Sequence, residues 1–395
     1  MQISGTCDPR FAPVRDAFRD NFAQRGELGA AVCVVAQGRT VVDLWGGVAD
    51  RASGRPWTAD TLAMVFSATK GATALCAHVL VARGQLDLDA PVARYWPEFA
   101  AAGKDAIPVR MLLNHQAGLP GVDVRLPAEA LYNWDSMTAA LAAQAPSWTP
   151  GTAHGYHAIT FGFLVGEVVR RVTGSTLGTF LRDTIAAPLG LDFWIGLPEE
   201  HEPRVATIRL APPTPHGSAL FTAMMERGSL TWKAFMNPRG MLSPGHANAR
   251  ATHAAELPAS NGITNARGLA GLYAPLAGSG QAHGVTLVDR ETVRVMSTVE
   301  SDGPDRVLLI PTRFASGFMK QMDNHPDDSV RFGPNPEAFG HVGAGGSVGM
   351  ADPVAGIAIG YVMNQMGPGI LLNPRGQGLI DAVYEALGAS QRVTG

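Results

Sequence analysis

The 395 residues carry 31 lysines and arginines against 34 aspartates and glutamates, a formal charge of −3. With no long run of either sign, the chain offers neither a nucleic-acid stripe nor an acidic tail, and a small, uncharged or mildly polar partner fits it best. Apolar residues make up 46% of the sequence, enough for one large core or two medium ones.

The opening MQISGTCDPRFAPVRDAF has no basic segment followed by an apolar one, and no later stretch offers about 18 uninterrupted apolar residues. A soluble, cytoplasmic protein without a membrane span is expected. Cys7, Cys33 and Cys76 are odd in number and lack C-x-x-C spacing, so they read as reduced thiols, with Cys33 and Cys76 in apolar runs that belong in a core.

In chain order, residues 9–25 read as a helix, and AAVCVVAQG (30–38) with RTVVDLWGGVAD (39–50) reads as two strands joined at Gly38. From Ser67 to Arg83 the apolar spacing is helical and Gly84 supplies a stop. VRMLLNH (109–115) and AITFGFLVGEVVRRVTG (158–174) repeat the helical pattern, the second ending at Gly174. Between about 196 and 265 periodicity fades and Pro, Gly and His accumulate, which predicts long ordered loops on one face. FGHVGAGGSVGMADP and AGIAIGYVMNQ return to strands across Gly-rich turns, before a last helix near Gln377–Leu387. The expected class is α+β, with one sheet built from both ends of the chain. Residues 1–66 and 265–395 would form the sheet-bearing region, and 67–264 a helical region with cleft-lining loops.

Two serines compete as nucleophile. Gly345-Gly346-Ser347-Val348-Gly349 fits G-x-S-x-G, but that motif needs a strand-to-helix turn and a downstream histidine. Here another strand follows, and no histidine lies beyond His341. The glycines around Ser347 read better as a tight hairpin with close backbone approach. Ser67 and Lys70, in MVFSATKGATALCAHVL, have S-x-x-K spacing, which puts both side chains on one face of a helix. Burial and the positive helix N-terminus disfavour the charged amine, so Lys70 becomes a plausible proton acceptor, and nearby backbone N–H groups could hold an oxyanion. With 17 serines and four lysines, chance supplies roughly 0.17 such pairs in this length. Arginine could not take the position, because it does not release its proton. The bland alternative makes Ser67 an N-cap and Lys70 a solvated first-turn residue.

Tyr156 follows a Pro-Gly turn ahead of the 158–174 helix and could relay a proton if a neighbouring ammonium lowered its proton affinity. Phe221, Met224, Met225, Trp232, Phe235 and Met236 could wall an apolar acyl pocket or simply pack the loops. His154/His157 and His246/His253 have no carboxylate or cysteine at useful spacing, so no metal is expected. A P-loop sequence is absent, and no cofactor is implied.

Taken in order and spacing, Ser67-Ala68-Thr69-Lys70, LDLDAPVARYWPEF (86–99), VRMLLNHQAGLPG (109–121), Tyr156 and His341-Val342-Gly343 resemble the serine β-lactamase and penicillin-recognising superfamily. The chain is most similar to its family VIII carboxylesterases, which are related to class C β-lactamases. The resemblance spans nearly the whole chain and implies a β-lactamase-like fold: an antiparallel sheet from both termini flanked by helices, with a helical subdomain. It makes Ser67 the acylated nucleophile, Lys70 and Tyr156 the shared general base and acid, and the N–H groups of Ser67 and Ala344 the oxyanion hole, with His341 and Gly343 on the strand that lines the cleft.

Two departures stand out. Tyr156-His157-Ala158 replaces Tyr-x-Asn and removes a side-chain amide. His341-Val342-Gly343 replaces Lys-Thr-Gly and removes a permanent cation, since histidine is mostly neutral near pH 7. Both favour neutral esters over anionic amides. The expected activity is therefore hydrolysis of small carboxylic esters, with short acyl chains favoured by the resemblance. The alternatives are β-lactam or amide hydrolysis, acyl transfer to an alcohol other than water, or a non-catalytic binding or assembly protein on the same scaffold.

Overall fold

The computed structural model describes residues 2–211, 219–239, 245–322 and 330–393. Its centre is a large antiparallel sheet drawn from both ends of the chain. The N-terminal part gives β1 (Ile3–Cys7), β2 (Gly29–Ala36) and β3 (Arg39–Asp50); the C-terminal part gives β4 (Ser301–Pro304), β5 (Pro311–Phe314), β6 (Met319–Lys320), β7 (Phe339–Val342), β8 (Val348–Asp352) and β9 (Ile357–Met363). The order across the sheet is β1-β3-β2-β9-β8-β7-β6-β5-β4, with the short Arg55–Pro56 strand paired to β3 off this path. The two halves of the chain meet where β9 pairs with β2, Ile359 opposite Val34 and Tyr361 opposite Val32. Both strands are β-branched and almost wholly buried, as expected of strands covered on two faces.

Five helices frame the sheet and the site: α1 (Ala12–Gln24), α2 (Thr69–Ala82), α3 (Thr160–Thr173), α4 (Ala266–Tyr273) and α5 (Pro374–Val393). Helices α1 and α5 pack together, while α4 lies on β9, β2 and β8. That helix comes so close that a Cβ at Gly360 would strike the backbone at Ala266 and Ala270, and one at Gly349 would strike Tyr273 and Leu269. The two glycines are thus required by the helix-on-sheet approach. Helix α2 is buried through nearly its whole length and packs against α3.

The sheet from both ends, the first hairpin and the helices near 69–82 and 160–173 agree with the sequence reading; α3 stops at Gly174, whose φ of 73° is left-handed. Cys33 and Cys76 are buried and all three cysteines are free. Other expectations are corrected. VRMLLNH holds a single helical turn, Arg110–Leu113. The last helix is longer than foreseen. The 196–265 segment is not only loop: it contains helices Ala219–Met225, Leu230–Met236 and Arg250–Ala254, each too short to show a clear period. Two pieces of that segment, 212–218 and 240–244, lie outside the described residues.

A second, three-stranded sheet joins Ala63–Met64 to Ile263–Thr264 and that strand to Phe193–Trp194. It fixes the chain immediately before Ser67. Among the described residues, no helix is long and apolar enough to cross a membrane.

Candidate active site

Ser67 sits in a single 3-10 turn, Phe66–Ala68, that leads directly into α2. The turn is pinned on both sides: Val65 N–H donates to Gly262 O at 2.9 Å, and Val65 O accepts from Ser347 Oγ at 2.8 Å. Phe66 is held at φ 47°, a left-handed conformation that costs a bulky residue about 1–3 kcal/mol and persists only when its surroundings impose it. The cap of α2 is Ala68, with no side-chain hydrogen bond, so Ser67 is not an N-cap.

Lys70, in the first turn of α2, is fully buried, contrary to the solvated reading. Its Nζ lies 3.3 Å from Ser67 Oγ, 2.8 Å from Ala158 O and 2.9 Å from Ala259 O. Among the described residues no carboxylate pairs with it, and burial alone holds its pKa well below the usual lysine value. A neutral amine has two hydrogens and one lone pair. In that neutral form the two carbonyls, which can only accept, would take both hydrogens and leave the lone pair facing the Ser67 hydroxyl.

Tyr156 is placed by its own backbone. Its N–H lies 3.1 Å from both carboxylate oxygens of Asp305, which also accepts from the N–H groups of Val307 and Leu308 at 2.8 Å and from Thr312 Oγ1 at 3.1 Å. The phenol ring stacks on Phe314, 6.0 Å between centroids at 11°, and Lys70 Nζ stands 4.6 Å from its centre. Burial pushes the Tyr156 hydroxyl well above its ordinary pKa, only partly offset by the Ser67 hydroxyl beside it, and Asp305 raises it further. This corrects the expectation that an ammonium would lower its proton affinity: Tyr156 keeps its proton.

His341, at the end of β7, is buried. Its Nδ1 is 2.8 Å from Val342 O, which can only accept; Nδ1 therefore carries the hydrogen and Nε2 presents a lone pair with no partner among the described residues. Burial, reinforced by Lys70, lowers its pKa to about 3, so the position that would hold a lysine cation is neutral. Gly343 follows. A Cβ there would collide with Val65 O and Ser347 Oγ, so glycine is what lets β7 ride against the Ser67 turn. The Gly343 N–H is taken by Ser347 O at 2.7 Å, whereas the Ala344 N–H has no backbone acceptor among the described residues. Ser347 itself is fully buried between two strands and donates to Val65 O. It ties the hairpin to the turn that carries Ser67.

Ser67, Tyr156 and Ala344 line one pocket of about 570 Å³ counted out to its mouth. Its walls are apolar: Phe66, Ile159, Phe235, Leu308, Met319, Ile370 and Leu371. Of the six loop residues proposed as an acyl wall, only Phe235 lines it. Met225, Trp232 and Met236 line a different cavity, and Phe221 and Met224 line neither. Asp305, Leu308, Met319, Ile370 and Leu371 were not foreseen, because each reaches the site from a loop or short strand with no local pattern of its own.

Three of the four paired histidines are used within the protein. His157 accepts from Leu119 N–H at Nε2 and donates through Nδ1 to Gly155 O, while His154 Nε2 pairs with Thr312 Oγ1 at 2.8 Å. His253 has a carboxylate partner after all, Glu202 at 2.7 Å, from a segment 51 residues away. No group of three His, Cys, Asp or Glu side chains among the described residues is placed to hold a metal ion.

Comparison with known proteins places the fold in a family. Residues 14–377 match the Beta-lactamase family. The esterase/beta-lactamase LipL of Mycobacterium tuberculosis is 39% identical over 372 residues, covering 92% of this chain and 83% of that protein. A family VIII carboxylesterase superposes with a TM-score of 0.89 at 41% identity, over 98% of this chain and 100% of the other. A penicillin-binding protein homologue from Caulobacter crescentus does so with the same score, identity and coverage.

Proposed function

Because the chain belongs to the beta-lactamase family, we propose that it is a serine hydrolase of small carboxylic esters that works through an acyl group carried on Ser67. The observation that carries this reading is the fully buried Lys70 amine, 3.3 Å from Ser67 Oγ and 2.8 and 2.9 Å from the carbonyls of Ala158 and Ala259, with its pKa held well below the usual lysine value by burial. It is a preformed general base for that hydroxyl.

In the first half-reaction Ser67 Oγ attacks the ester carbonyl as Lys70 Nζ takes the hydroxyl proton. The carbonyl oxygen, now anionic, is held by the N–H groups of Ser67 and Ala344. As the C–O bond to the alcohol breaks, the protonated Tyr156 hydroxyl gives its hydrogen to the departing oxygen and is resupplied from Lys70. Water then enters, the same pair removes its proton, and the acid leaves with the Ser67 hydroxyl restored.

The neutral His341 and the apolar pocket walls support esters over β-lactams, whose carboxylate would find no cation at the end of β7. LipL is named for both activities, and the Caulobacter protein for penicillin binding. Steady-state rates on p-nitrophenyl butyrate and on nitrocefin decide between them. The proposal expects kcat/KM for the ester to exceed that for nitrocefin at least a hundredfold. A preference for nitrocefin would overturn it, and inertness toward both would favour a binding protein.

A further inference from the structure

The cation absent from the catalytic pocket is present nearby. Arg125, Arg227 and Arg239 come from three separate stretches and line one open groove of about 1450 Å³ counted to its mouth, with no carboxylate in its lining among the described residues. All three are exposed, and none forms an ion pair among the described residues. Their neighbour Lys233, by contrast, is engaged with Asp123 at 2.6 Å. The groove also holds apolar surface: Trp232 and Met236 are half-buried, and Met225 is 63% exposed.

The backbone beside two of the arginines, Arg125 and Arg239, is joined through Asn237. Asn237 donates through Nδ2 to Val122 O and Val124 O at 2.8 and 2.9 Å and accepts from Leu126 N–H at 3.2 Å. The backbone beside Arg125 is thereby fixed to the backbone two residues before Arg239. Three arginines lining one groove suit a multi-oxygen anion, because each guanidinium presents a planar fork of donors. The adjacent aromatic and thioether surface suits a flexible apolar chain.

We propose that this groove is a second binding site, for a single anionic amphiphile whose phosphate or carboxylate head is held by Arg125, Arg227 and Arg239 and whose apolar chain lies along Met225, Trp232 and Met236. The groove and the catalytic pocket share the helix Leu230–Met236, Phe235 facing one and Trp232 and Met236 the other. The two sites are therefore separated by little more than one helix diameter, about 10 Å.

The test is calorimetric titration of the intact protein with decyl phosphate below its micelle concentration, beside 1-decanol and inorganic phosphate. The same titrations are run on the Arg125→Gln/Arg227→Gln/Arg239→Gln variant. Decyl phosphate is expected to bind the wild type at least tenfold more tightly than either half-ligand, more weakly as salt rises, and at least tenfold more weakly in the variant. Hydrolysis of p-nitrophenyl butyrate should continue in the variant, since none of the three arginines lines the catalytic pocket. Undiminished binding in the variant, or equal binding of decanol, would overturn the proposal. So would co-sedimentation with phosphatidylglycerol vesicles without binding of the monomer, which would make the arginines a membrane-facing patch.

Discussion

Replacing Lys70 by methionine separates its chemistry from its packing. The methionine stem can occupy the space beside the Tyr156 and Phe161 rings, where Nζ now stands 4.6 and 5.9 Å from the ring centres. Only the amine is lost. Removal of a positioned general base costs typically 10²–10⁴ in rate, or about 3–5 kcal/mol at 1.36 kcal/mol per decade. Stability moves less. Ala158 O and Ala259 O lose their donor, at about 1–3 kcal/mol each for a buried acceptor, but the variant no longer has to bury an amine. The pH dependence carries the sharper signature. A lysine whose folded pKa lies below its unfolded value binds its proton more readily when unfolded, so stability rises with pH between the two values. By the same shift, the wild-type kcat/KM gains activity as pH rises through the depressed Lys70 pKa and then holds level until Tyr156, itself shifted upward, begins to ionise. Lys70→Met should lose that acid limb together with its rate. The assay is the kcat/KM–pH profile for p-nitrophenyl butyrate on both proteins, with thermal melts as a control on folding. A folded Lys70→Met that keeps more than a tenth of wild-type kcat/KM, or keeps the acid limb, refutes the assignment of Lys70 as base.

Three further substitutions probe the rest of the site. Tyr156→Phe keeps the stacking on Phe314 and the backbone bonds to Asp305, so it should melt within a few degrees of wild type yet lose about 10²-fold or more in kcat; near-normal kcat would remove the tyrosine from the proton path. Asp305→Asn can keep its amide oxygen on the Val307 and Leu308 N–H groups but turns its NH2 toward the Tyr156 N–H and Thr312 Oγ1; it is expected to cost about 1–3 kcal/mol in denaturant unfolding and to lower kcat more than it raises KM. Unchanged kcat would mean that Asp305 does not position Tyr156. Gly343→Ala places a methyl against Val65 O and Ser347 Oγ; overpacking of this kind costs about 1–3 kcal/mol, and the shift of Ala344 should depress kcat for esters, so a fully active variant would separate Ala344 from the oxyanion hole.

Much of the fold and site was legible in the chain because its signals are local. Ser67 and Lys70 are three residues apart at the start of one helix, the strands β2, β3 and β9 announce themselves by β-branched runs between glycines, and β8 by the Gly-rich turns around it. Ser347 could be set aside for an equally local reason, since a strand follows it where a helix was needed. What escaped is non-local. Asp305 reaches the Tyr156 amide from 149 residues away through a backbone contact that leaves no motif. The edge strand Ser301–Pro304 and its neighbour Pro311–Phe314 contain glycine or proline and do not alternate cleanly, so their pattern is loop-like. The pocket walls Leu308, Met319, Ile370 and Leu371 are single apolar residues brought together only by the fold. The direction of the Tyr156 shift also depended on burial, which the sequence around it does not state.

The proposed mechanism stands on Ser67, rather than Ser347, carrying the acyl group. Intact-protein and peptide mass spectrometry after treatment with a fluorophosphonate reads this out at the residue itself. One adduct is expected, on the peptide containing Ser67, and in Ser67→Ala it should vanish together with ester hydrolysis. An adduct on Ser347, or full activity in Ser67→Ala, would contradict the mechanism.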